Sequence, residues 1–282
     1  MIGNNIKTLI LLTLLTVVLL GIGQLIGGTT GLTIALIFAL IMNFVSFWFS
    51  DKIVLFMYRA KEADVNEHSR IHEIVRDVAA RAGLPKPRVF IIQSANPNAF
   101  ATGRGYKNSA IAFTTGILTL LDDEELRGVT AHEMAHIKNR DVLISSIAAV
   151  IAGAIAYIAF MARWAAIFGG FGGNKDRNNI LEIIILAILA PLIATLIRLA
   201  ISRSREYVAD ETGAKIVRNP IPLANALLKL NGVSSHTPMK KGNQATSHLF
   251  IINPFSGNAI LNLFSTHPSV QSRVGKLRAM KI

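Results

Sequence analysis

The sequence predicts an α-helical integral membrane protein: four membrane helices carrying a mostly helical cytoplasmic domain with a small β-sheet. Three observations carry that prediction. Hydrophobic residues fill 51% of the 282 positions and charged residues only 16%, against roughly 25% charged in soluble domains. Four long apolar runs interrupt the chain, and its mean hydropathy is +0.46. Lys and Arg gather beside those runs rather than spreading evenly.

The first run, residues 9–26, holds no charge and exceeds the short core of a signal peptide. It leads almost directly into the second, 31–49, so the two read as a hairpin turning at 28–30. Runs 142–161 and 180–197 form a second hairpin, each close to the ~20 residues that cross a bilayer. Lys7, Lys52, Arg59, Lys61, Lys138, Arg140, Arg198, Arg203 and Arg205 lie on one side of this plan, against Arg163, Lys175 and Arg177 on the other. Positive residues favour the cytoplasm, which places both termini there. The resulting division is an N-terminal hairpin (8–50), a first cytoplasmic part (51–141), a second hairpin (142–200) and a second cytoplasmic part (201–282). Trp48 and Trp164 sit at span ends, where amphipathic rings anchor. The formal charge of +12 belongs to this topology and not to nucleic-acid binding. Cysteine is absent, which excludes disulfides, thiol nucleophiles and Cys-type zinc sites and fits a reducing compartment.

Within the cytoplasmic parts, Ile71, Ile74, Val75, Val78 and Ala82 recur at helical spacing until Gly83 and Pro85 end the pattern. Residues 88–92 (RVFII) and 109–113 (SAIAF) read as short strands, with a turn-rich stretch between them. Asn98, Ala99, Phe100, Ala101 and Thr102, followed by SAIAF, suggest a sheet edge where a substrate chain adds as a strand through main-chain bonds. The competing reading is an edge covered by its own loop. Asp122 and Glu125 form a capping pair for a helix running through His136. A helix leaving the fourth run continues through Glu206 and Asp210 to Val217, another covers 222–230, and a last one runs from Ser269 to Ala279. Residues 233–248 read as a polar, mobile loop.

The chemistry lies in AHEMAH, residues 131–136. On a helix, His132 and His136 stand one turn apart, about 6 Å along the axis, and point the same way. Two imidazoles so placed take two corners of a zinc tetrahedron, with Glu133 beside them to activate a water at an open corner. His68 and His72 share the spacing, but Ser69 stands where the base should be, and they read as partly exposed residues of an amphipathic helix. A third ligand follows from the second hairpin. His136 precedes Val142 by six residues and Glu206 follows Ile197 by nine. At ~1.5 Å rise per residue, helices extended from the bilayer lift them about 9 and 14 Å above the span ends, side by side. Glu211 competes for the role. Glu206 is preferred because Asp210, four residues on, shares its face and can brace a ligand.

AHEMAHIKNRD and SREYVADETGA, with NPNAFATG upstream and STHPS downstream, together resemble the HtpX-type membrane zinc endopeptidases over nearly the whole chain. More distantly the same motifs resemble CAAX prenyl proteases. The resemblance implies a compact gluzincin-like domain and a zinc-dependent metalloendopeptidase holding one Zn2+ per subunit. Its ligands would be His132, His136 and Glu206, with Glu133 as general base and acid. It further implies His267 near the metal as a donor to the oxyanion, and Asp210 and Asp141 as groups orienting the imidazoles. A bacterial inner-membrane location follows, with the active site facing the cytoplasm. Damaged or misfolded membrane proteins, unfolded polypeptides and the enzyme itself would be substrates, in quality control and stress response, and oligomers are compatible with the plan. Two rivals stand beside this reading. One is CAAX-type prenyl-protein processing, for which four spans offer little enclosed room. The other is an inactive zinc-binding scaffold, which would have no use for Glu133. A zinc motif inside a span is excluded by LLDDEELRG, too charged for that depth.

Overall fold

In a computed structural model, the described residues are 2–153, 203–234, 237–239, 244–255 and 268–282. The fourth apolar run, the end of the third, Trp164 and His267 lie outside them. The chain opens with α1 (Ile2–Met57), an apolar helix broken at Gly27 and Gly28. Gly28 takes φ 58° and ψ −139°, a conformation open to glycine at little cost. The chain folds back there, one rung from the 28–30 turn read in the sequence. Asn43 Nδ2 donates to Thr16 Oγ1 across the two arms at 2.8 Å. The second arm, Gly27–Met57, is 31 residues long and apolar enough to cross a membrane. Ile34, Ile37, Leu40, Ile41 and Phe44 are exposed along it, as lipid-facing side chains are. Among the described residues it alone meets that length. Thr8–Gly21 and Asp141–Gly153 are shorter apolar helices.

After α1 come β1 (Lys61–Glu62), α2 (Ser69–Ala82), β2 (Arg88–Ile92), β3 (Ala99–Gly105) and β4 (Asn108–Thr114). The helices α3 (Thr115–Leu120) and α4 (Asp123–Lys138) follow, then α5 (Asp141–Gly153). The remaining helices are α6 (Arg203–Val217), α7 (Ile221–Ser234), a 3-10 turn (Gln244–Leu249) and α8 (Val270–Ala279). The sheet is mixed, ordered β1-β2-β4-β3, with β2 and β4 parallel and both outer pairs antiparallel.

Both sheet faces are covered, which explains why RVFII is apolar at successive positions rather than alternating. Val89, Ile91, Ile111 and Phe113 pack on α2, α4 and α7 through Ile74, Val78, Leu126, Met134 and Leu227. Phe90, Phe100 and Ala112 face the end of α1 at Val54 and Tyr58, together with Phe250. The end of the long apolar helix thus supplies one wall of the core.

Three expectations change. The turn-rich stretch holds a full strand, β3. Residues 244–249 are not a free loop: Thr246, His248 and Leu249 are buried, and the Tyr58 and Thr246 hydroxyls share a hydrogen bond. The helix bearing the His pair does not run straight into the third apolar run. Arg140, at φ 59°, separates α4 from α5.

Candidate metal centre

Asp122 starts α4 with a capping box, its side chain accepting from Glu125 N–H while Glu125 accepts from Asp122 N–H. Three acidic residues follow in the first turn, where the helix dipole favours negative charge. The helix buries Leu126, Val129 and Met134, and the turn facing α6 carries His132 and His136. α6 comes close because its crossing residue has no side chain: a Cβ on Gly213 would lie 2.9 Å from His132 N. One turn and two turns earlier on α6, Asp210 and Glu206 reach the histidines.

The two Nε2 atoms lie 3.2 Å apart. Glu206 Oε2 is 3.7 Å from His132 Nε2, and Oε1 is 3.6 Å from His136 Nε2. One donor atom from each of the three residues falls within 4.8 Å of the others. The opposite ring nitrogens are held from outside, His132 Nδ1 by Asp210 at 2.9 Å and His136 Nδ1 by Asp141 at 3.3 Å. Those contacts turn both Nε2 atoms inward, the orientation ligating histidines require. Asp141 reaches back because of the turn at Arg140, and Arg205 of α6 stands 3.6 Å from it, joining the starts of α5 and α6.

Arg273 of α8 was not anticipated from the sequence. It is 1% exposed. Its guanidinium donates to both Asp210 oxygens at 2.8 and 2.7 Å and to Ile251 O at 3.0 Å. It also lies 3.5 Å from Glu206. A fork-on-carboxylate geometry of this kind needs arginine, not lysine. Its sequence signal was weak, a basic residue in a short helix where basic residues are ordinary.

The electrostatics follow from burial. Glu133 is 2% exposed, and that burial raises its carboxyl pKa against the nearby imidazoles; Glu206 adds to the rise and an Ala101 N–H hydrogen bond opposes it. Burial resists charging His136. The Asp141 hydrogen bond and the Glu206 and Glu133 carboxylates outweigh it and lift the imidazole to about 9. Burial likewise opposes the Asp210 carboxylate, but Arg273 and His132 hold it well below the usual range. The surroundings therefore favour a cation at the point where the three donors meet. A cavity of about 30 Å³ lies there, lined by His132, Glu133, His136, Glu206, Ala101 and Ile251 among others. A water-sized sphere takes about 10–15 Å³, so an ion and one water fit.

Of the five residues read as a substrate-binding strip, the structure brings Ala101 alone to this cavity. Ala99 O accepts from Ile251 N at 3.2 Å, and Asn98 Nδ2 donates to Ile252 O at 2.7 Å. The chain's own 251–252 segment therefore occupies that end of the edge. Phe100 is a core ring against Tyr58 and Phe250, and the Thr102 hydroxyl bonds Ser146 Oγ at 2.7 Å. His72 is buried rather than partly exposed, 3.0 Å from Ala63 O and 2.9 Å from Lys86 Nζ. Glu211 turns away to Lys215 at 2.5 Å.

Residues 65–281 match Peptidase family M48. Among curated proteins, a Protease HtpX homolog of Desulfatibacillum aliphaticivorans is 53% identical over 277 residues, covering 98% of this chain and 89% of that one. One from Syntrophobacter fumaroxidans is 50% identical over 281 residues, 99% and 100% of the two chains. One from Pyrococcus furiosus is 52% identical over 277 residues, 98% and 96%. Among solved structures, the crystal structure of S. mikatae Ste24p superposes with a TM-score of 0.52 at 18% identity, covering 98% of this chain and 66% of that one. At that identity the likeness speaks for the fold alone. Because the family match runs through every helix that supplies a donor, the chain belongs to Peptidase family M48 and is a membrane metalloprotease.

Proposed function

We propose that this peptidase binds one zinc ion through His132, His136 and Glu206, and that Glu133 serves as its general base and acid in hydrolysing peptide bonds. The convergence of the three donors carries this reading. Donors on a zinc tetrahedron stand about 3.3 Å apart for bonds of about 2.0–2.1 Å, close to the 3.2 Å between the Nε2 atoms and the 3.6–3.7 Å to Glu206. Two imidazoles and one carboxylate are also the donor set of hydrolytic zinc sites. Zinc held there would supply a Lewis acid for the scissile carbonyl and lower the pKa of its water.

The chain's own groups do the rest. Glu133 takes the proton of the attacking water and returns it to the leaving amine, a shuttle served by a carboxyl whose pKa burial has raised. Asp210, itself gripped by Arg273, and Asp141 keep the imidazoles turned inward. Ala101 offers the edge of β3 to the backbone of a substrate, and His267 is the candidate donor to the oxyanion. The four-part division of the chain, with two membrane hairpins and both termini in the cytoplasm of a bacterial inner membrane, belongs to the same proposal. A site so close to the bilayer suits misfolded membrane proteins and unfolded chains, including other copies of itself, as substrates in quality control under stress.

Glu133→Gln tests the assignment. Hydrolysis of an unfolded membrane substrate by the zinc-loaded protein should fall by at least about 10²-fold, while zinc content stays at one per chain. Retained hydrolysis, or lost zinc, sinks it.

A further inference from the structure

A second cleft, of about 500 Å³, opens where the exposed apolar face of α1 ends. Phe44 and Trp48 line it together with Lys52, Arg88, Arg104 and Lys107. We propose that this cleft seats the phosphate headgroup of an anionic phospholipid whose tails lie along Phe44 and Trp48.

Charge is the first argument. Asp51 is the acid in the lining, and Arg88 engages it at 3.2 Å. Among the described residues Lys52, Arg104 and Lys107 have no ion-pair partner, so the cleft carries cations in excess and is built for an anion. Backbone design is the second. The β3–β4 register slips between Gly103 and Gly105, leaving Arg104 outside the ladder as a bulge. Gly103 at φ 144° and Gly105 at φ 153° take backbone open to glycine, and a Cβ on Gly103 would meet Asn108 O at 2.3 Å. Bulges re-aim a side chain, and here the guanidinium lies over Trp48, 4.8 Å from the ring centroid. Its Nε is buried without a hydrogen-bond partner, a cost that a phosphate oxygen would remove.

Position selects the source of the phosphate. Phe44, Trp48 and Phe49 are exposed on the same arm as Ile37 and Ile41, so a hydrocarbon tail can follow the lipid-facing row downward. The first charges after that row are Asp51 and Lys52, which puts the cations at headgroup depth. Basic pockets beside membrane helices take lipid headgroups in this way. An acidic segment of a protein would meet the same cations but would have no use for the aromatic lining.

The test uses the full chain in nanodiscs, with Trp164→Phe so that Trp48 is the emitter. Phosphatidylglycerol or phosphatidylcholine brominated in the tails is added in equal amounts. Trp48 should report enrichment of the anionic lipid by about fivefold for each uncompensated cation near the surface. The preference should shrink with ionic strength, disappear in Arg104→Gln/Lys107→Gln and persist in Arg104→Lys. Equal quenching by the two lipids in the parent overturns the proposal, whatever the variants do. A preference abolished, at constant ionic strength, by added inorganic phosphate or by an acidic peptide overturns it too, assigning the cleft to that anion instead.

Discussion

Arg273 decides how rigidly the metal centre is held. Its two hydrogen bonds to Asp210 fix the carboxylate that in turn fixes His132, so three helices meet through one guanidinium. Arg273→Met should leave the buried Asp210 carboxylate without its guanidinium and with only His132 beside it, at a cost of about 3–5 kcal/mol, seen as a lower unfolding midpoint in denaturant. Arg273→Lys should recover only part of this, since an ammonium cannot engage both oxygens. The contrast explains what could be read at this scale. His132, Glu133 and His136 are legible because one turn of helix sets their geometry. Glu206 is legible through Asp210, which shares its face. Arg273 is not, because its role exists only when α6, α8 and residue 251 have already met.

Element packing sets how near the donors come. α6 lies against α4 at Gly213, with no space for a methyl group. Gly213→Ala should therefore push the helices apart by tenths of an ångström and weaken zinc binding, read by competition with a chromogenic chelator. Gly275, inside α8 with nothing within 4 Å of an added Cβ, is the control. Gly275→Ala should leave zinc affinity alone and add about 0.5–1 kcal/mol of stability. Strands β2 and β4 were readable as apolar runs between breakers, and α4 through its capping box. β3 was hidden by Gly103 and Gly105, poor strand residues needed here for the bulge, and by the Asn residues just before it, of which Asn98 holds Ile252 O. Ligand heights of about 9 and 14 Å above the span ends require unbroken helices. The break at Arg140 replaces that picture, and it is the break that lets Asp141 fold back to His136.

At the scale of the whole molecule, the rings of Tyr58, Phe100 and Phe250 join α1, the sheet and the segment that lines the metal cavity. Their centroids stand 5.0–5.7 Å apart in edge-on and tilted contacts, a favourable arrangement for aromatic quadrupoles. Phe250→Ala should cost about 3–5 kcal/mol in a denaturant titration. It should also loosen the 251–252 pairing with Asn98 and Ala99, visible as faster amide exchange at Ile251. Composition announced the membrane anchor, but nothing in it revealed that one face of the anchor's last turns, at Val54 and Leu55, is core.

That shared helix restricts where the enzyme can exist. A proteolytic domain tethered by a flexible stalk can be clipped free and diffuse away with its activity intact. Here, severing the chain after Tyr58 would strip Val54, Leu55 and Tyr58 from that face of the sheet and uncover part of Phe90 and Phe100. A cut that removes the end of α1 therefore also removes part of the core, which ties the activity to the intact helix end.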